Sequence, residues 1–142
     1  MPIPVSGFFI SSLEEKYENL FFGVAFEGND IIFHQDGLNI RNNKKNEKFL
    51  PEEGSYINII QLKDGIHIST DPSGMCKLYI YEDGINWGVS DSFYELCSEI
   101  KNLGWNIEPN LAAIHSTKIG GWFGDQLLSY NTVFKQIKLV PH

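Results

Sequence analysis

The sequence predicts an α+β fold in which antiparallel strands are followed by helices. In the first part of the chain, β-branched and aromatic residues cluster in short runs that end at turn-forming dipeptides such as Asp64-Gly65. After Ser92, apolar residues recur instead at the offsets of a helix. The length of 142 residues and the 42% hydrophobic content suit a single core. We therefore expect residues 1–142 to form one domain.

Seven runs are predicted to be strands, and most are joined by turns that favour antiparallel hairpins. Gly28-Asn29-Asp30 connects the second run to the third, and Asp64-Gly65 connects the fourth to the fifth. Asp83-Gly84 connects the sixth to the seventh, so the runs are expected to form a meander. In chain order the runs are Val5–Ile10, Phe21–Phe26, Ile31–His34, Tyr56–Leu62, Ile66–Thr70, Lys77–Tyr81 and Ile85–Val89.

Two helices and a mixed tail are predicted after the strands. The first helix has an apolar face, a capping box from Ser92 to Glu95, and Gly104 as its stop signal. A shorter helix is predicted from Pro109 to His115, since proline is tolerated in a first helical turn. The apolar face of the first helix comprises Phe93, Leu96, Cys97, Ile100 and Leu103. In the tail, the glycines at 120, 121 and 124 indicate a loop, and residues 132–134 and 137–140 look extended.

Charge and hydropathy exclude several classes of partner. The net charge of -7 and the pI near 5.0 give a field that repels phosphate backbones and anionic membrane surfaces. The one basic cluster, Arg41–Lys48, is interrupted by Glu47 and is better explained as a solvated loop within the polar stretch Asn39–Gly54. No apolar run approaches the ~20 residues of a membrane span, and the start does not resemble a signal peptide. We expect a cytoplasmic protein with no nucleic acid or membrane partner.

No metal site is expected, because the metal-ligating residue types occur without ligand spacing. Cys76 and Cys97 are interpreted as buried small hydrophobes. The histidines are His34, His67, His115 and His142, and His67 is expected to point outward from a strand. Asp64, Asp71 and Asp83 each lie in an Asp-Gly or Asp-Pro turn, so they are interpreted as turn residues. The segment from Gly120 to Gly124, which contains Trp122 and Phe123, is interpreted as a loop whose aromatic side chains dock on a neighbouring domain or subunit.

Two segments resemble the N-terminal glutaminase domain of the asparagine synthetase family. Residues 69–81, followed by Trp87-Gly88-Val89-Ser90, are similar to the family's Arg-Asp-Pro/Arg-Phe-Gly-X-X-Pro-Leu-Tyr-Tyr segment and its Phe-Ala-Ser-Glu sequence. Residues 132–142 look like its closing Thr-X-Phe-X-X-Ile-X-X-Leu-X-Pro-Gly-His segment. The resemblance implies an Ntn-hydrolase-like fold of layered antiparallel sheets and helices, as in class II glutamine amidotransferases. It assigns a structural motif to Asp71, Gly74, Leu78, Tyr79 and Ser90.

The catalytic residues that the resemblance implies have no supported counterparts. Such a glutaminase uses an N-terminal cysteine with a free α-amine, whereas position 2 is Pro2. Ser6 matches the nucleophile position, but five residues precede it and block its amine. Arg41 is the only candidate for the arginine that holds the substrate carboxylate, and the family's Asn-Gly-Glu-Ile-Tyr-Asn oxyanion segment has no counterpart between Arg41 and Tyr56. We therefore assign no catalytic residue and regard Ser6 as a vestigial nucleophile position.

These observations predict a catalytically inactive amidotransferase-like domain with a structural or oligomerising role in an asparagine synthetase-like ligase. The expected partners are a second copy of the chain and a downstream synthetase domain, which would bind ATP and Mg²⁺; no cofactor is expected in this domain. The end at Pro141-His142, without the family's glycine, indicates the N-terminal part of a longer protein. Two alternatives stay open: an Ntn hydrolase matured by cleavage before Ser6, and a binding module for a small metabolite.

Overall fold

The computed structural model describes residues 7–47, 49, 51, 53–119 and 130–141. These residues form two four-stranded antiparallel sheets and three helices, which confirms the α+β class. None of these helices is long and apolar enough to cross a bilayer. The elements in chain order are β1 Phe9–Ser11, β2 Leu20–Glu27, β3 Asp30–Phe33, α1 His34–Lys44, β4 Glu53–Leu62, β5 Gly65–Thr70, β6 Tyr79–Glu82, β7 Trp87–Ser90, α2 Phe93–Asn102, α3 Leu111–Ile119 and β8 Ile137–Leu139.

The elements fall into two compact units. The first unit contains the described parts of residues 1–14 and 77–141, and the second unit contains those of residues 15–76. The first has the sheet order β1-β7-β6-β8, and the second has the order β3-β2-β4-β5. The expectation of a single domain over residues 1–142 stays a prediction.

The second unit confirms two predicted hairpins but not the meander. β2 and β3 pair from Glu27↔Asp30, and β4 and β5 pair from Leu62↔Gly65, so both turn signals act as expected. β4 pairs with β2 rather than with β3, however. The meander prediction is wrong here, because α1 lies between β3 and β4 in the chain and returns it to the other side of β2.

Helix α1 replaces the solvated loop expected for the basic cluster. It begins at His34, which was expected to end a strand, and it runs to Lys44, so Arg41 is helical and buried. His34 itself has a φ of 49°, and its Nδ1 accepts a hydrogen bond from the Gly23 amide at 3.1 Å. The helix buries Leu38 in a cluster that is completed by Phe21, Ala25, Ile32, Phe49 and Tyr56. Packing of this one residue and of Arg41 therefore stabilises a helix that lacks an apolar stripe.

The first unit follows the predicted β6-β7 hairpin and first helix closely. The Asp83 carboxylate accepts hydrogen bonds from the Ile85 and Asn86 amides in the hairpin turn. Ser92 caps α2 by accepting from the Glu95 amide, and Gly104 has a φ of 71° just beyond the helix. The core of this unit contains Tyr81, Leu96, Ile100 and Ile137.

Several boundaries in the first unit differ from expectation: β6 begins at Tyr79 rather than Lys77, and β7 begins at Trp87 rather than Ile85. β1 begins at Phe9, and residues 5 and 6 of the predicted run lie outside the described residues. α3 runs from Leu111 to Ile119 rather than from Pro109, because Asn110 Oδ1 accepts from the Ala113 amide and Pro109 instead bridges to Phe134. Residues 132–134 are not a strand, although Ile137–Leu139 pairs with β6 as β8.

Gly23 on β2 gives a stability prediction with a matched control. A Cβ on Gly23 would lie 2.2 Å from the Ser55 carbonyl oxygen of the paired strand β4, whereas a Cβ on Gly28 in the β2-β3 turn would meet no atom within 4 Å. Both glycines have positive φ. We expect Gly28→Ala to lower the free energy of unfolding by about 1 kcal/mol and Gly23→Ala by about 3 kcal/mol or more, measured by urea denaturation. Equal losses of unfolding free energy in the two variants would show that contact with β4 does not restrict the side chain at position 23.

Candidate functional site

The Asp71 side chain is enclosed in its own turn. It is fully buried, and its carboxylate accepts hydrogen bonds from the Met75 and Cys76 amides, each at 3.0 Å, and from the Ser73 hydroxyl. Gly74 has a φ of 69° and donates its amide to the Asp71 carbonyl. Burial opposes ionisation of Asp71, but these hydrogen bonds outweigh it and lower the pKa of the carboxyl. Asp71 and Gly74 therefore form a tight turn whose acid is occupied locally.

The other residues of the structural motif pack in the first unit. Leu78 is buried, and Tyr79 pairs with Ser90 across β6 and β7. The Tyr79 ring meets the Phe93 ring edge to face at 5.5 Å between centroids. Ser90 is fully buried, and its hydroxyl accepts from the amide of Ser92 at the start of α2. These contacts are those of fold-supporting residues.

The Arg41 side chain makes several polar contacts within the second unit. It is only 6% exposed and forms a bidentate pair with Glu27, in which Nη2 lies 2.6 Å from Oε1 and Nε lies 3.1 Å from Oε2. Nη1 donates to the Glu47 carbonyl, and the guanidinium lies 5.3 Å from the centroid of the Phe49 ring. Lys45 adds a second cation at 2.8 Å from Glu27 Oε2.

The two cations decide the protonation of Glu27. Hydrogen bonds from Arg41 first, and from Lys45 second, lower the pKa of Glu27 from its usual 4.5 to about 2, while the hydrogen bond to Glu27 raises the pKa of Arg41. Arg41 therefore carries a charge that is already matched inside the protein. A substrate carboxylate would have to compete with Glu27 for this guanidinium. The role in substrate binding that the resemblance implies for Arg41 stays a prediction.

A polar cleft of about 420 Å³ lies beside this ion pair, between α1 and β4. We call it the carboxamide cleft, because six carboxamide side chains line it: Asn19, Gln35, Asn39, Asn42, Asn46 and Asn58. Leu38, Phe49 and Ile60 add apolar surface, and Lys45 and Glu47 add charged groups. All of these residues belong to the second unit.

Sequence reasoning did not identify this cleft, although two signals for it exist. Gln35, Asn39, Asn42 and Asn46 recur at helical spacing through the polar stretch. Asn58 interrupts the apolar run from Tyr56 to Ile60 within β4, on the same face as the buried Tyr56. Both signals need α1 to be recognised as a helix that faces β4.

The remaining expected groups are not brought together into a site. Both cysteines are partly buried. Cys97 packs against the core of the first unit, as expected for a small hydrophobic residue, and burial raises the pKa of its thiol. Cys76 Sγ instead lies 3.3 Å from the Ser55 hydroxyl oxygen. His67 and His115 are exposed, and no group of three or more metal-ligating side chains occurs among the described residues. Ser6, the segment from Gly120 to Gly124, and His142 lie outside the described residues.

Comparison with protein-family models, with curated proteins and with solved structures found no significant match.

The lowered pKa of Glu27 predicts an acid-dependent contribution to stability. Because the folded-state pKa is about 2 and the usual value is 4.5, the pair stabilises the protein fully above about pH 4.5, and this contribution is lost as the pH falls towards 2. We expect Glu27→Gln to destabilise the protein at pH 7, and the difference from the wild type to shrink between pH 4.5 and 2 in thermal melts. Glu53→Gln, at an exposed position of β4, is the matched control. A pH-independent difference for Glu27→Gln would contradict the ionic role of this group.

Proposed function

We propose that this chain is a non-catalytic, glutamine amidotransferase-like domain of an asparagine synthetase-like, ATP-dependent amide ligase, with a structural role. The observation that carries the proposal is the burial of Arg41, the only arginine in the sequence, in an ion pair with Glu27. A glutaminase needs a free cation for the substrate carboxylate. Releasing Arg41 to a substrate would take from Glu27, whose side chain is 26% exposed, the partner that lowers its pKa most.

The residues that carry the family resemblance support the same proposal. The Asp71 carboxylate accepts hydrogen bonds from Ser73, Met75 and Cys76, so it is occupied within its own turn. Tyr79 and Ser90 make packing and capping contacts within their sheet and helix. These residues preserve a fold without requiring a reaction.

In the proposed ligase, the ATP-dependent reaction takes place in a partner domain. A downstream synthetase domain would bind ATP and Mg²⁺, and the present domain would serve as its structural support.

The edge of the second sheet supports a self-associating role. β3 is the outermost strand in the order β3-β2-β4-β5, and Ile31 on it is 53% exposed. Its cross-strand neighbour Phe26 and the nearby Phe33 are also exposed. An antiparallel pair of β3 strands from two copies is self-complementary about a two-fold axis, so a second copy of the chain is the proposed occupant of this edge.

Self-association through β3 predicts a dimer that is lost when a charged side chain is introduced on this strand. We expect light scattering after size exclusion to give twice the chain mass of 16.2 kDa, and Ile31→Lys to give a monomer because lysine on an edge strand opposes strand addition. Ile85→Lys, at an exposed site in the β6-β7 turn, should leave the dimer intact. A monomeric wild-type protein at micromolar concentration would overturn this role.

The absence of glutaminase chemistry is tested by ammonia release from glutamine. We expect the purified protein to release no more ammonia than its Ser6→Ala variant, because neither a free α-amine nor an available arginine would assist Ser6. Intact-mass spectrometry should show a chain that begins at Met1 or Pro2. Ammonia release well above the variant, or a species that begins at Ser6, would favour the alternative of a matured Ntn hydrolase.

A further inference from the structure

We propose that the carboxamide cleft binds a neutral, polyhydroxylated ligand of about monosaccharide size. The cleft volume of about 420 Å³ falls within the range of small-molecule sites, which is about 300–1,000 Å³. Its composition is unusual, since carboxamides outnumber both charged and apolar side chains. The inference goes beyond the proposed function and does not depend on it.

Asn58 is the observation that points to a ligand. It is only 3% exposed, and its carboxamide makes no hydrogen bond to the described part of the chain. Every fully enclosed side-chain nitrogen or oxygen of the described residues has a hydrogen-bond partner. The Asn58 amide has none among these residues, so it must be accessible, and it is accessible from the cleft that it lines. Because the amide opens into the cleft, a ligand hydroxyl can reach it without first breaking a hydrogen bond within the described part of the protein. A bound hydroxyl would supply that partner.

The neighbouring carboxamide side chains are oriented by hydrogen bonds that their oxygen atoms accept. Asn19 Oδ1 accepts from the Gln61 amide at 2.7 Å, Asn39 Oδ1 accepts from Gln35 Nε2 at 3.0 Å, and Asn42 Oδ1 accepts from Arg41 Nη1 at 3.3 Å. Gln35 is itself fixed, because its Oε1 accepts from the Phe21 amide at 2.8 Å. The NH₂ groups of Asn19, Asn39 and Asn42 are therefore the groups left to serve a ligand, as donors to ligand oxygen atoms.

The charges at the cleft favour a neutral ligand over an anion. Lys45 shares the single negative charge of Glu27 with Arg41, so these three groups carry a net charge of +1, which the Glu47 carboxylate at the cleft balances. Glu47 contributes a carboxylate, which repels anions and accepts hydrogen bonds from hydroxyl groups. A hydroxyl group both donates and accepts, so it suits the NH₂ donors together with the Glu47 acceptor. The apolar surface of Leu38 and Ile60 suits the C–H face of a sugar ring.

The test is a titration of the whole ¹⁵N-labelled chain with neutral sugars, in which binding is detected by NMR from the side-chain NH₂ signals. The probes are glucose, galactose, mannose and N-acetylglucosamine, with sodium phosphate and glutamine as competing chemistries. We expect at least one sugar to shift the Asn58 signal saturably, with a Kd of about 1 mM or tighter. No saturable shift with any sugar, or saturation by phosphate or glutamine alone, would overturn the proposal. Neither result depends on whether the chain has glutaminase activity.

Two variants and a control make the assignment specific. Asn58→Leu removes the amide at nearly constant volume, so we expect sugar affinity to fall at least about tenfold while the fold is retained. Where this variant fails to fold, Asn39→Leu on the exposed side of α1 replaces it, with the same expected loss. Asn43→Leu lies on the same helix but does not line the cleft, and it should bind as the wild type does. Unchanged affinity in the folded Asn58→Leu or Asn39→Leu variant would also overturn the proposal.

Discussion

The ion pair between Arg41 and Glu27 is the constraint on which the second unit depends. A buried guanidinium requires a matched charge, and Glu27 at the end of β2 supplies it from fourteen residues earlier in the chain. The pair ties α1 to the sheet and, through the Glu47 carbonyl, fixes the segment that follows the helix. It thereby sets the wall of the carboxamide cleft. A ligand carboxylate would have to displace Glu27 to reach the Arg41 guanidinium.

Local signals predicted the parts of the fold that depend on residues close in sequence. Asp64-Gly65 and Asp83-Gly84 marked hairpins correctly, because glycine and aspartate satisfy a turn's backbone without help from the rest of the chain. Helix α2 carries its own apolar face and its own cap at Ser92, so the sequence also predicts that this segment is a helix and where it begins. In each case the stabilising partners lie within a few residues of one another.

The parts that were missed depend on distant partners. Helix α1 buries only Leu38 and Arg41 among its residues, so it shows no helical period of apolar side chains. Without α1, the order β3-β2-β4 has no local signal, since β4 must pass β3 to reach β2. The cleft follows from both features, and Asn58 belongs to it only because β4 faces the helix. A single sequence shows which residue types are present, but it does not show that these side chains meet at one cleft.

The family resemblance and the site chemistry concern different residues, and this separation limits what the resemblance implies. Asp71 and Ser90 are fully buried and satisfied by backbone groups near them in sequence, so a chain with this turn and this strand end would keep them whether or not it catalysed a reaction. Asn58 is different, because its nearly buried carboxamide makes no hydrogen bond to the described residues and opens into the cleft. A nearly buried polar group without a protein partner indicates a ligand more directly than a well-satisfied motif does. The cleft in the second unit is therefore a better guide to this chain's own chemistry than the motif that carries the resemblance.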